Sequence, residues 1–500
     1  MVHDSTRPQH PLRTSLQTLA QWLPAEVVGA AEGDVTGVSL SSQRIRPGDL
    51  YAALPGARAH GMDFVGAALE AGAVAVLTDP AGAATAVDVP VLVVERPRAV
   101  LGRLAARVYG EPAAAMRMIG VTGTQGKTTT TRLAESGLEQ AGVRAAVIGT
   151  VGTRVAGEDV KTALTTPEAP DLHGLFAMMR ERDVAVCAME VSSHALVMGR
   201  VDGVVFDVAV FLNLGRDHLD FHRDVDDYFD AKASLFTPER ARVGLTNVDD
   251  EHGRLLLDRA TVPMRTFSIT GTDADWRASE VELTAEGSTF VITTPAGDRI
   301  TAGCPLPGDF NVSNTLAAVA AAGEAGLDAA AVAAGIAAGG GVPGRLERVD
   351  AGQEFVVVVD YAHKPDAVAA AIRTLRPLTQ GRVIVVLGAG GDRDPGKRPI
   401  MAEIAARLAD VLVVTDDNPR TEDPAAIRAA MLDGISEPAA EVVEVGDRRA
   451  AIQEALRRAA PGDIVLVAGK GHETGQEING VVHPFDDREV VREALREVAT

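Results

Sequence analysis

Residues 118–133 read "MIGVTGTQGKTTTTRL" and join an apolar strand pattern, a glycine-rich turn and a helical pattern. This order is the setting in which backbone N–H groups and a helix N-terminus bind phosphate. The spacing departs from the common P-loop, because Val121 stands where that motif has its first glycine. Nucleotide binding is the favoured interpretation, and a glycine-rich turn followed by a surface lysine is the alternative.

The turn supplies the residue types that phosphate chemistry needs. Its glycines permit a tight turn that directs several N–H groups inward. Lys127 is expected to reach the outer phosphates, and Thr128 is expected to bind Mg²⁺ through its hydroxyl group. The predicted ATP-binding residues of the loop are Gly123, Thr124, Gln125, Gly126, Lys127, Thr128 and Thr129.

Strand and helix patterns alternate after this loop. Buried-strand patterns include "VAVCAMEV", "DVAVFLN", "EFVVVVDYAH" and "DVLVVTDDNPR". The alternation predicts an α/β fold with parallel sheets. A break at Pro112 and a Gly/Pro cluster at 339–344 divide the chain, and we predict three domains over residues 1–115, 116–342 and 343–500.

Composition excludes two classes of partner. The 500 residues carry a formal net charge of −21, which would repel nucleic-acid phosphates at long range. No run of about 18 apolar residues occurs, so no membrane insertion is expected. Cys187 and Cys304 lack metal-type spacing and are expected to be buried free thiols, as suits a reducing cytoplasm.

Polar side chains follow two strands of the central region. Glu190 ends an apolar strand, where a carboxylate is costly unless it has a partner such as a bound cation. Asp217 and His218 follow the next strand, and oxygen ligands supplemented by one imidazole suit Mg²⁺. A zinc site that adds Asp220 and His222 is the alternative, and it lacks both a cysteine and HExxH-type spacing.

Four buried strand patterns of the last region each end in a polar or glycine-rich loop. The loops read "DYAH", "GAGGDRD", "DDNPR" and "GKGHE". In an open α/β sheet, ligands bind beyond the carboxyl ends of the strands. We therefore expect these loops to converge on one site.

The motifs occur in the order found in a known family. They are "GTQGKTT", "TTP", "EVSSHAL", "RDHLD", "DAKASLF", "GDFNVSN", "GRLE" and "DYAHKPDA", and they span nearly the whole chain. In this order they resemble the Mur ligases, ATP-dependent enzymes that form amide bonds in the peptidoglycan precursor. The shortened phosphate loop of that family accounts for the misfit at Val121.

The resemblance implies an architecture and a chemistry. It implies a small α/β UDP-binding domain, a central parallel-sheet P-loop ATPase domain and a C-terminal Rossmann-like domain. "LSSQRIRPGDL" and "GARAHGMDF" resemble the part of the first domain that binds a nucleotide sugar. The implied enzyme is a cytoplasmic monomer that uses ATP and Mg²⁺ to activate a carboxylate as an acyl phosphate before an amine attacks it.

The loop "DNPR" is typical of family members that add meso-diaminopimelate. Their acceptor is the γ-carboxylate of D-glutamate in UDP-N-acetylmuramoyl-L-alanyl-D-glutamate. Arg420 suits this amino acid, because a guanidinium can hold its second carboxylate bidentately, whereas lysine lacks that group. The resemblance assigns diaminopimelate binding to Arg393, Asp417, Asn418, Pro419, Arg420, Gly469 and Glu473.

Further roles follow from the resemblance alone. It assigns the UDP-linked dipeptide to Leu40, Ser42, Thr165, Thr166, Ser192 and Arg200. It assigns further ATP contacts, across a domain interface, to Asn314, Arg345 and Asp360. It assigns Mg²⁺ to Thr128, Glu190, His218 and Lys232, and catalysis to Lys127, Glu190, His218 and Lys232.

Lys232 is the residue whose interpretation the resemblance changes. By its sequence context it is a helix lysine with a solvated ammonium group. The family has a carbamylated lysine (N6-carboxylysine) at this position. A plain ammonium, with a pKa near 10.4, would repel Mg²⁺, whereas a carbamate could bind it.

Two alternative functions stay open at this point. A folylpolyglutamate-synthetase-like ligase would share the phosphate loop and the lysine, but it should lack the "DNPR" and "GKGHE" pair. A P-loop regulatory switch would bind partners according to its nucleotide state and would form no amide. That second alternative leaves the polar loops of the last region without a role.

Overall fold

The computed structural model describes residues 6–215, 217–218 and 220–498. The chain forms two compact units: the first comprises residues up to 278 with 292–300 and 314–335, and the second comprises 279–291, 301–313 and 336 onward. Among the described residues, no helix combines the length and apolar composition that crossing a membrane requires.

The N-terminal segment contains a five-stranded sheet. Its elements are β1 (Thr14–Ser15), α1 (Leu16–Trp22), β2 (Glu26–Val28), β3 (Asp34–Val35), β4 (Gly37–Ser39), β5 (Asp49–Ala52), α2 (Val65–Glu70), β6 (Ala75–Thr78), β7 (Val91–Val93) and α3 (Pro97–Val108). The sheet order is β2-β7-β6-β5-β4, parallel except for β2. Short 3₁₀ turns lie at Ser42–Arg44, Gly61–Phe64, Gly82–Ala84 and Pro112–Ala115.

The central segment begins with the strand that precedes the phosphate loop. Its elements are β8 (Arg117–Thr122), α4 (Lys127–Gln140), β9 (Ala145–Gly149), β10 (Gly152–Val155), β11 (Glu158–Val160), α5 (Ala169–Glu181), β12 (Val186–Glu190), α6 (Ser193–Val197), β13 (Phe206–Phe211), α7 (Val225–Ala233), β14 (Ala241–Asn247), α8 (Glu251–Arg259), β15 (Met264–Ser268), β16 (Trp276–Leu283), β17 (Ser288–Thr293), β18 (Arg299–Cys304), α9 (Asp309–Glu324) and α10 (Ala329–Ala338).

The parallel part of this segment's sheet places β8 at its centre. The order is β9-β12-β8-β13-β14-β15, and every neighbouring pair is parallel. All five residues of β9 and of β12 are buried, so helices cover both faces of these strands. The carboxyl end of β8 therefore carries its loop between the ends of β12 and β13, at the edge where a parallel sheet binds ligands.

The C-terminal segment is a second parallel α/β layer structure. Its elements are β19 (Glu347–Arg348), β20 (Val356–Asp360), α11 (Pro365–Leu375), a 3₁₀ turn (Arg376–Leu378), β21 (Val383–Ala389), α12 (Lys397–Leu408), β22 (Val411–Asp416), α13 (Pro424–Leu432), β23 (Glu441–Glu444), α14 (Arg448–Arg458), β24 (Ile464–Ala468), β25 (Gly475–Ile478), β26 (Val481–Pro484) and α15 (Asp487–Val498). The sheet order is β19-β20-β24-β21-β22-β23.

Two apolar cores lie on the two faces of this second sheet. One contains alternate residues such as Val385 and Leu466 with helices α11 and α12, and the other contains Val386 and Val465 with helices α14 and α15. Because successive strand residues point to opposite faces, a strand covered on both sides must be apolar throughout. The predicted α/β class with parallel sheets is confirmed. Cys187 and Cys304 are buried free thiols, also as predicted.

Candidate active site

The predicted phosphate loop turns sharply between β8 and α4. Gly123 and Gly126 have φ angles of 153° and 87°, a backbone region that L side chains rarely adopt. A Cβ atom on Gly126 would lie 2.4 Å from Asn314 Oδ1. Both glycines are therefore required by the turn, and Asn314, predicted as an ATP contact, packs directly against it.

Asn213 fixes the backbone of the loop from the end of β13. Its side-chain Oδ1 accepts hydrogen bonds from the N–H groups of Thr124 (3.2 Å) and Gln125 (2.9 Å). Its Nδ2 donates to the carbonyl oxygen of Gln125 at 3.2 Å. These two N–H groups are occupied by Asn213 in this geometry, so phosphate binding by the loop, still a prediction, would depend on the N-terminus of α4 and on Lys127.

Lys127 and Lys232 meet at one carbonyl group. Lys127 Nζ donates to the carbonyl oxygens of Gly123 (2.7 Å) and Thr124 (3.0 Å), and Lys232 Nζ donates to that of Gly123 at 2.8 Å. Lys232 is only 1% exposed, and its Nζ lies 4.5 Å from the ring centroid of Tyr228. Burial and the charge of Lys127 lower the pKa of Lys232 well below its usual value. The expectation of a solvated lysine is wrong.

Glu190 is a buried carboxylate at the end of β12. Its Oε1 accepts a hydrogen bond from the N–H of Thr150 at 2.7 Å, and its Oε2 accepts one from the hydroxyl of Thr150 at 3.2 Å. It is 1% exposed and has no ion-pair partner among the described residues. A buried carboxylate of this kind is suited to a cation that approaches its remaining lone pairs.

The residues predicted to hold the dipeptide lie around Glu190. Thr165 Oγ1 is 3.1 Å from Thr150 Oγ1, and Thr166 Oγ1 donates to the main-chain oxygen of Glu190 at 2.8 Å. Ser192 N donates to Thr166 Oγ1 at 3.3 Å. Arg200 donates to the carbonyl oxygen of Thr166 at 3.3 Å and to Glu168 at 2.9 Å. These four predicted residues therefore form one cluster.

His218 belongs to a group of aromatic rings beside Lys232. Its ring centroid is 4.9 Å from that of His194 and 6.0 Å from that of Tyr228. Its backbone φ is 54°, and its Nε2 lies 3.5 Å from Asp217 Oδ2. Within the described ranges, no three or more His, Cys, Asp or Glu side chains are grouped closely enough to hold a metal ion. Of the four residues predicted to bind Mg²⁺, only Glu190 and His218 are of those types. The other two predicted ligands are the hydroxyl group of Thr128 and a carbamate on Lys232.

Leu40 and Ser42 lie on the loop that follows β4 in the N-terminal sheet. Ser42 opens a 3₁₀ turn that ends at Arg44, and Arg44 forms a bidentate ion pair with Asp171 at 2.8 and 2.9 Å. This pair ties the loop to α5. The uridine contacts assigned to Leu40 and Ser42 stay a prediction.

Four strand-end loops of the second unit lie side by side. They follow β20, β24, β21 and β22, which are consecutive and parallel in the sheet. Arg448 bonds to the carbonyl oxygens of Ala468 (3.0 Å) and Asp416 (3.4 Å) and to Asp487, and Arg448 and Asp487 are fully buried. This buried pair holds the ends of β24 and β22 together. The four loops therefore lie along one edge of the sheet, and their convergence on one binding site stays a prediction.

The loop 417–420 is joined to the "GKGHE" loop by a buried network. Asn418 Nδ2 donates to Glu473 Oε2 at 2.8 Å. Lys470, fully buried, donates to Asn418 Oδ1 at 3.0 Å and to Glu473 Oε2 at 3.2 Å. A Cβ atom on Gly469 would lie 2.5 Å from Asp417 Oδ2, so only glycine fits there. The structure thus brings six predicted diaminopimelate residues together, because Pro419 and Arg420 are continuous with this loop.

Arg393 lies on the neighbouring loop after β21. Its Cγ atom is 3.9 Å from the position of a Cβ on Gly390, and the Nη1 atom of Arg420 is 3.0 Å from the same position. Arg393 is exposed. Two guanidinium groups are therefore presented on adjacent strand ends, and the region is suited to anionic groups.

Arg345 and Asp360 form a separate cluster in the second unit. Asp360 accepts hydrogen bonds from the N–H groups of Leu346 and Ala362, both at 2.8 Å. Desolvation raises the pKa of Asp360, and the nearby Arg345 opposes the shift. Arg345 lies over the ring of Tyr361, 5.0 Å from its centroid. Their assignment to ATP stays a prediction.

Comparison with known proteins agrees with this geometry. Three family models match the chain in order: the Mur ligase family catalytic domain over residues 34–109, the Mur ligase middle domain over 121–322, and the Mur ligase glutamate ligase domain over 344–471. A relative from Streptomyces coelicolor, named UDP-N-acetylmuramoyl-L-alanyl-D-glutamate–2,6-diaminopimelate ligase, is 57% identical over 498 residues, which cover 98% of each chain. The chain belongs to the Mur ligase family.

Solved structures extend the comparison to the fold. One Mur ligase, also named UDP-N-acetylmuramoyl-L-alanyl-D-glutamate–2,6-diaminopimelate ligase, matches with a TM-score of 0.72 and 35% identity, covering 98% of this chain and 100% of that one. A MurF ligase from Thermotoga maritima, solved in complex with ADP, has a TM-score of 0.60 at 19% identity, covering 92% and 97%. The three-domain Mur ligase fold is thereby confirmed.

In each of the two units, some residues that hold predicted site residues in place were not themselves predicted from the sequence. They are Asn213, Thr150, Lys470 and Glu477. Each acts on a predicted residue through a contact that joins distant parts of the chain. Lys470 alone carried a signal, because a lysine directly after a buried strand and between two glycines is an unusual place for a charge.

Proposed function

We propose that this chain is the ligase that adds meso-diaminopimelate to the D-glutamate γ-carboxylate of UDP-N-acetylmuramoyl-L-alanyl-D-glutamate, at the expense of ATP. The observation that supports this most is the pairing of Arg420 with the Asn418–Glu473–Lys470 network at adjacent strand ends. A guanidinium and a carboxylate on neighbouring loops match an amino acid that carries a second carboxylate and an ammonium group. The names of the relatives at 57% and 35% identity support the same assignment.

The phosphate loop supplies the activation step. ATP would lose its γ-phosphoryl group to the substrate carboxylate, which gives an acyl phosphate and ADP. Lys127 and the N-terminus of α4 would stabilise the charge of the transferred phosphoryl group. The amine then attacks the acyl carbon, and phosphate leaves with the electron pair of the broken C–O bond. Fold similarity to a ligase that binds ADP supports nucleotide use.

Glu190 and Lys232 fit a requirement for Mg²⁺. Glu190 is a buried carboxylate bonded only to neutral groups, and Lys232 has the lowered pKa of an amine that can react with CO₂. In that reaction the neutral Nζ forms a bond to carbon and releases a proton, which leaves an anionic carbamate. Thr128 and His218 complete the proposed set, and Mg²⁺ would supply charge neutralisation for the phosphates.

The predicted boundaries and cellular setting are part of the proposal. The proposed domain boundaries near residues 115 and 342 are supported by the gaps between the family matches, which fall at 109–121 and 322–344. The buried free thiols favour a cytoplasmic setting, and the monomeric state is proposed from the family resemblance alone.

A product-based assay with a panel of amino acids tests the function. The purified chain receives ATP, Mg²⁺, the UDP-linked dipeptide and one amino acid at a time. We expect ADP, phosphate and the tripeptide product to form in equal amounts with meso-diaminopimelate, and little product to form with lysine. If the rate of ATP turnover does not depend on the amino acid supplied, the proposal is wrong. Polyglutamylation of a folate substrate would instead establish the alternative ligase.

A further inference from the structure

A neighbouring hairpin, β25–β26, holds Arg420 in an unusual backbone conformation. The φ angle of Arg420 is 53°, which is rare for a residue with a side chain. Arg420 N donates to the carbonyl oxygen of Glu477 at 3.0 Å, and Asn479 N donates to the carbonyl oxygen of Arg420 at 2.6 Å. Strand β25 therefore stabilises the backbone that directs the Arg420 side chain.

The Glu477 side chain acts on the guanidinium itself. Arg420 Nε lies 3.3 Å from Glu477 Oε2, and Arg420 Nη1 donates to the carbonyl oxygen of Gly391 at 2.7 Å. Two contacts on different nitrogens fix the plane of a guanidinium group. Arg420 Nη2 makes no hydrogen bond to any residue that the structure describes, so its two N–H groups remain available to a ligand.

The same strand also holds the other polar residues of the loop. Glu477 N donates to Asn418 Oδ1 at 2.9 Å, and Gln476 Nε2 donates to the carbonyl oxygen of Asp417 at 2.7 Å. Every loop residue with a polar side chain is thus bonded to Gln476 or Glu477. A substitution in this strand would therefore alter the positions of residues 417–420, although the strand itself lies beyond the "GKGHE" motif.

We propose that Glu477 is a positioning residue that sets the selectivity of this site for amino acids with a second carboxylate. The inference rests on the proposed function and deepens it. In the proposed arrangement, Glu477 does not contact the amino acid. It holds the guanidinium of Arg420 in one plane, so that the ligand carboxylate meets a donor whose orientation is already fixed.

Three variants of the full-length chain test this. Glu477→Ala removes the contact to Nε, and Glu477→Gln keeps an acceptor of the same length without the charge. Glu493→Ala serves as the matched control. It removes an exposed ion pair in the same unit, in which Arg449 Nη1 lies 2.6 Å from Glu493 Oε2, and both residues are remote from 417–420 in sequence. Steady-state rates are measured with meso-diaminopimelate and with lysine, and KM is measured for ATP.

We expect Glu477→Ala to raise the KM for diaminopimelate about tenfold and to lower the selectivity over lysine by a similar factor. The kcat and the KM for ATP should stay within about twofold of wild type, because Arg420 does not act on the phosphate. Glu477→Gln should restore most of the selectivity, and Glu493→Ala should leave it unchanged.

Contrary outcomes are distinct from one another. Unchanged selectivity in Glu477→Ala, or a loss of kcat and ATP binding together, would overturn the positioning role. A lower KM for diaminopimelate in Glu477→Gln would also overturn it, since Glu477 would then be a competitor of the ligand carboxylate. If the wild-type chain forms no amide with diaminopimelate, the proposed function itself fails, which the wild-type assay shows before any variant is made.

Discussion

Lys127 and Lys232 donate hydrogen bonds to the same carbonyl oxygen, that of Gly123, at 2.7 and 2.8 Å. Two ammonium groups on one acceptor repel each other, and the more deeply buried group loses its proton more readily. Lys232 is that group, and burial together with the charge of Lys127 lowers its pKa well below the usual value, which favours the neutral amine. The charge of Lys127 therefore contributes to the lowered pKa of Lys232, which the proposed reaction with CO₂ requires.

Lys232 should carry a carbamate when CO₂ is present. In ¹³C-enriched bicarbonate, the chain is expected to show a carbamate resonance by NMR, and Lys232→Met should lack it. Lys161→Met, which changes an exposed lysine, is the control and should keep the signal. A wild-type spectrum without a carbamate resonance would leave Lys232 as an unmodified buried amine.

Lys127 is expected to be essential for turnover. Lys127→Met removes the cation nearest the proposed phosphate site, and we expect kcat to fall by about 10²–10³-fold. The same substitution removes the positive charge of Lys127 from the surroundings of Lys232. The pKa of Lys232 should therefore rise, and the carbamate resonance should weaken at neutral pH. Near-normal kcat in this variant contradicts the assignment of the loop.

The sequence predicted the phosphate loop but not the environment of Lys232. Strand and helix periodicity places Gly123 and Lys127 correctly, because both lie in one short segment with a local pattern. The burial of Lys232 depends on α7 packing against that loop, more than a hundred residues away in sequence. On its own helix Lys232 has ordinary neighbours, so only a family resemblance could single it out.

Arg420 should determine the affinity for diaminopimelate. Arg420→Ala removes a charged hydrogen bond to the second carboxylate, and we expect the KM for diaminopimelate to rise about 10–100-fold. The KM for ATP should change far less. Arg449→Ala, at an exposed ion pair of the same unit, provides the control. If the KM for diaminopimelate is unchanged, Arg420 does not belong to the pocket.

Asn213 should matter for nucleotide affinity through the loop backbone. Asn213→Ala removes the acceptor of the Gln125 N–H and leaves the Thr124 N–H with the main-chain carbonyl oxygen of Asn213 alone, so the turn loses part of its fixed geometry. We expect the KM for ATP to rise about tenfold while the KM for diaminopimelate stays near wild type. Isothermal titration with a non-hydrolysable ATP analogue checks the same effect without turnover. Equal ATP affinity in both proteins would show that the loop keeps its shape unaided.

For the proposed amino-acid site too, the positions of the loops could be predicted from the sequence, whereas the contacts that hold them could not. Asp417–Arg420 and Glu473 follow buried strands, and the rule for parallel sheets places such loops together. The left-handed backbone of Arg420 and its contact to Glu477 come from hairpin β25–β26, which has no polar motif of its own. Register between a loop and a distant hairpin is a tertiary property, so no local pattern reveals it.

His173 should make the stability of the first unit depend on pH. It is fully buried on α5, where its Nε2 donates to the carbonyl oxygen of Asp202 at 3.1 Å and its Nδ1 has no hydrogen-bond partner among the described residues. Burial lowers the pKa of His173 from 6.5 to about 4. The folded state therefore stays neutral while the unfolded chain gains a proton below pH 6.5, so stability falls as the pH drops from 6.5 toward 4.

From these two pKa values, this one group should lower the free energy of unfolding by about 2 kcal/mol between pH 7 and pH 5. Urea denaturation at the two pH values measures the change in the free energy of unfolding. His173→Gln keeps a donor for the Asp202 carbonyl oxygen but has no titrating group, so its change should be smaller by the contribution of His173. His10→Gln, at an exposed histidine, is the control and should behave as wild type. An equal pH dependence in wild type and His173→Gln would mean that the buried imidazole is not the group responsible.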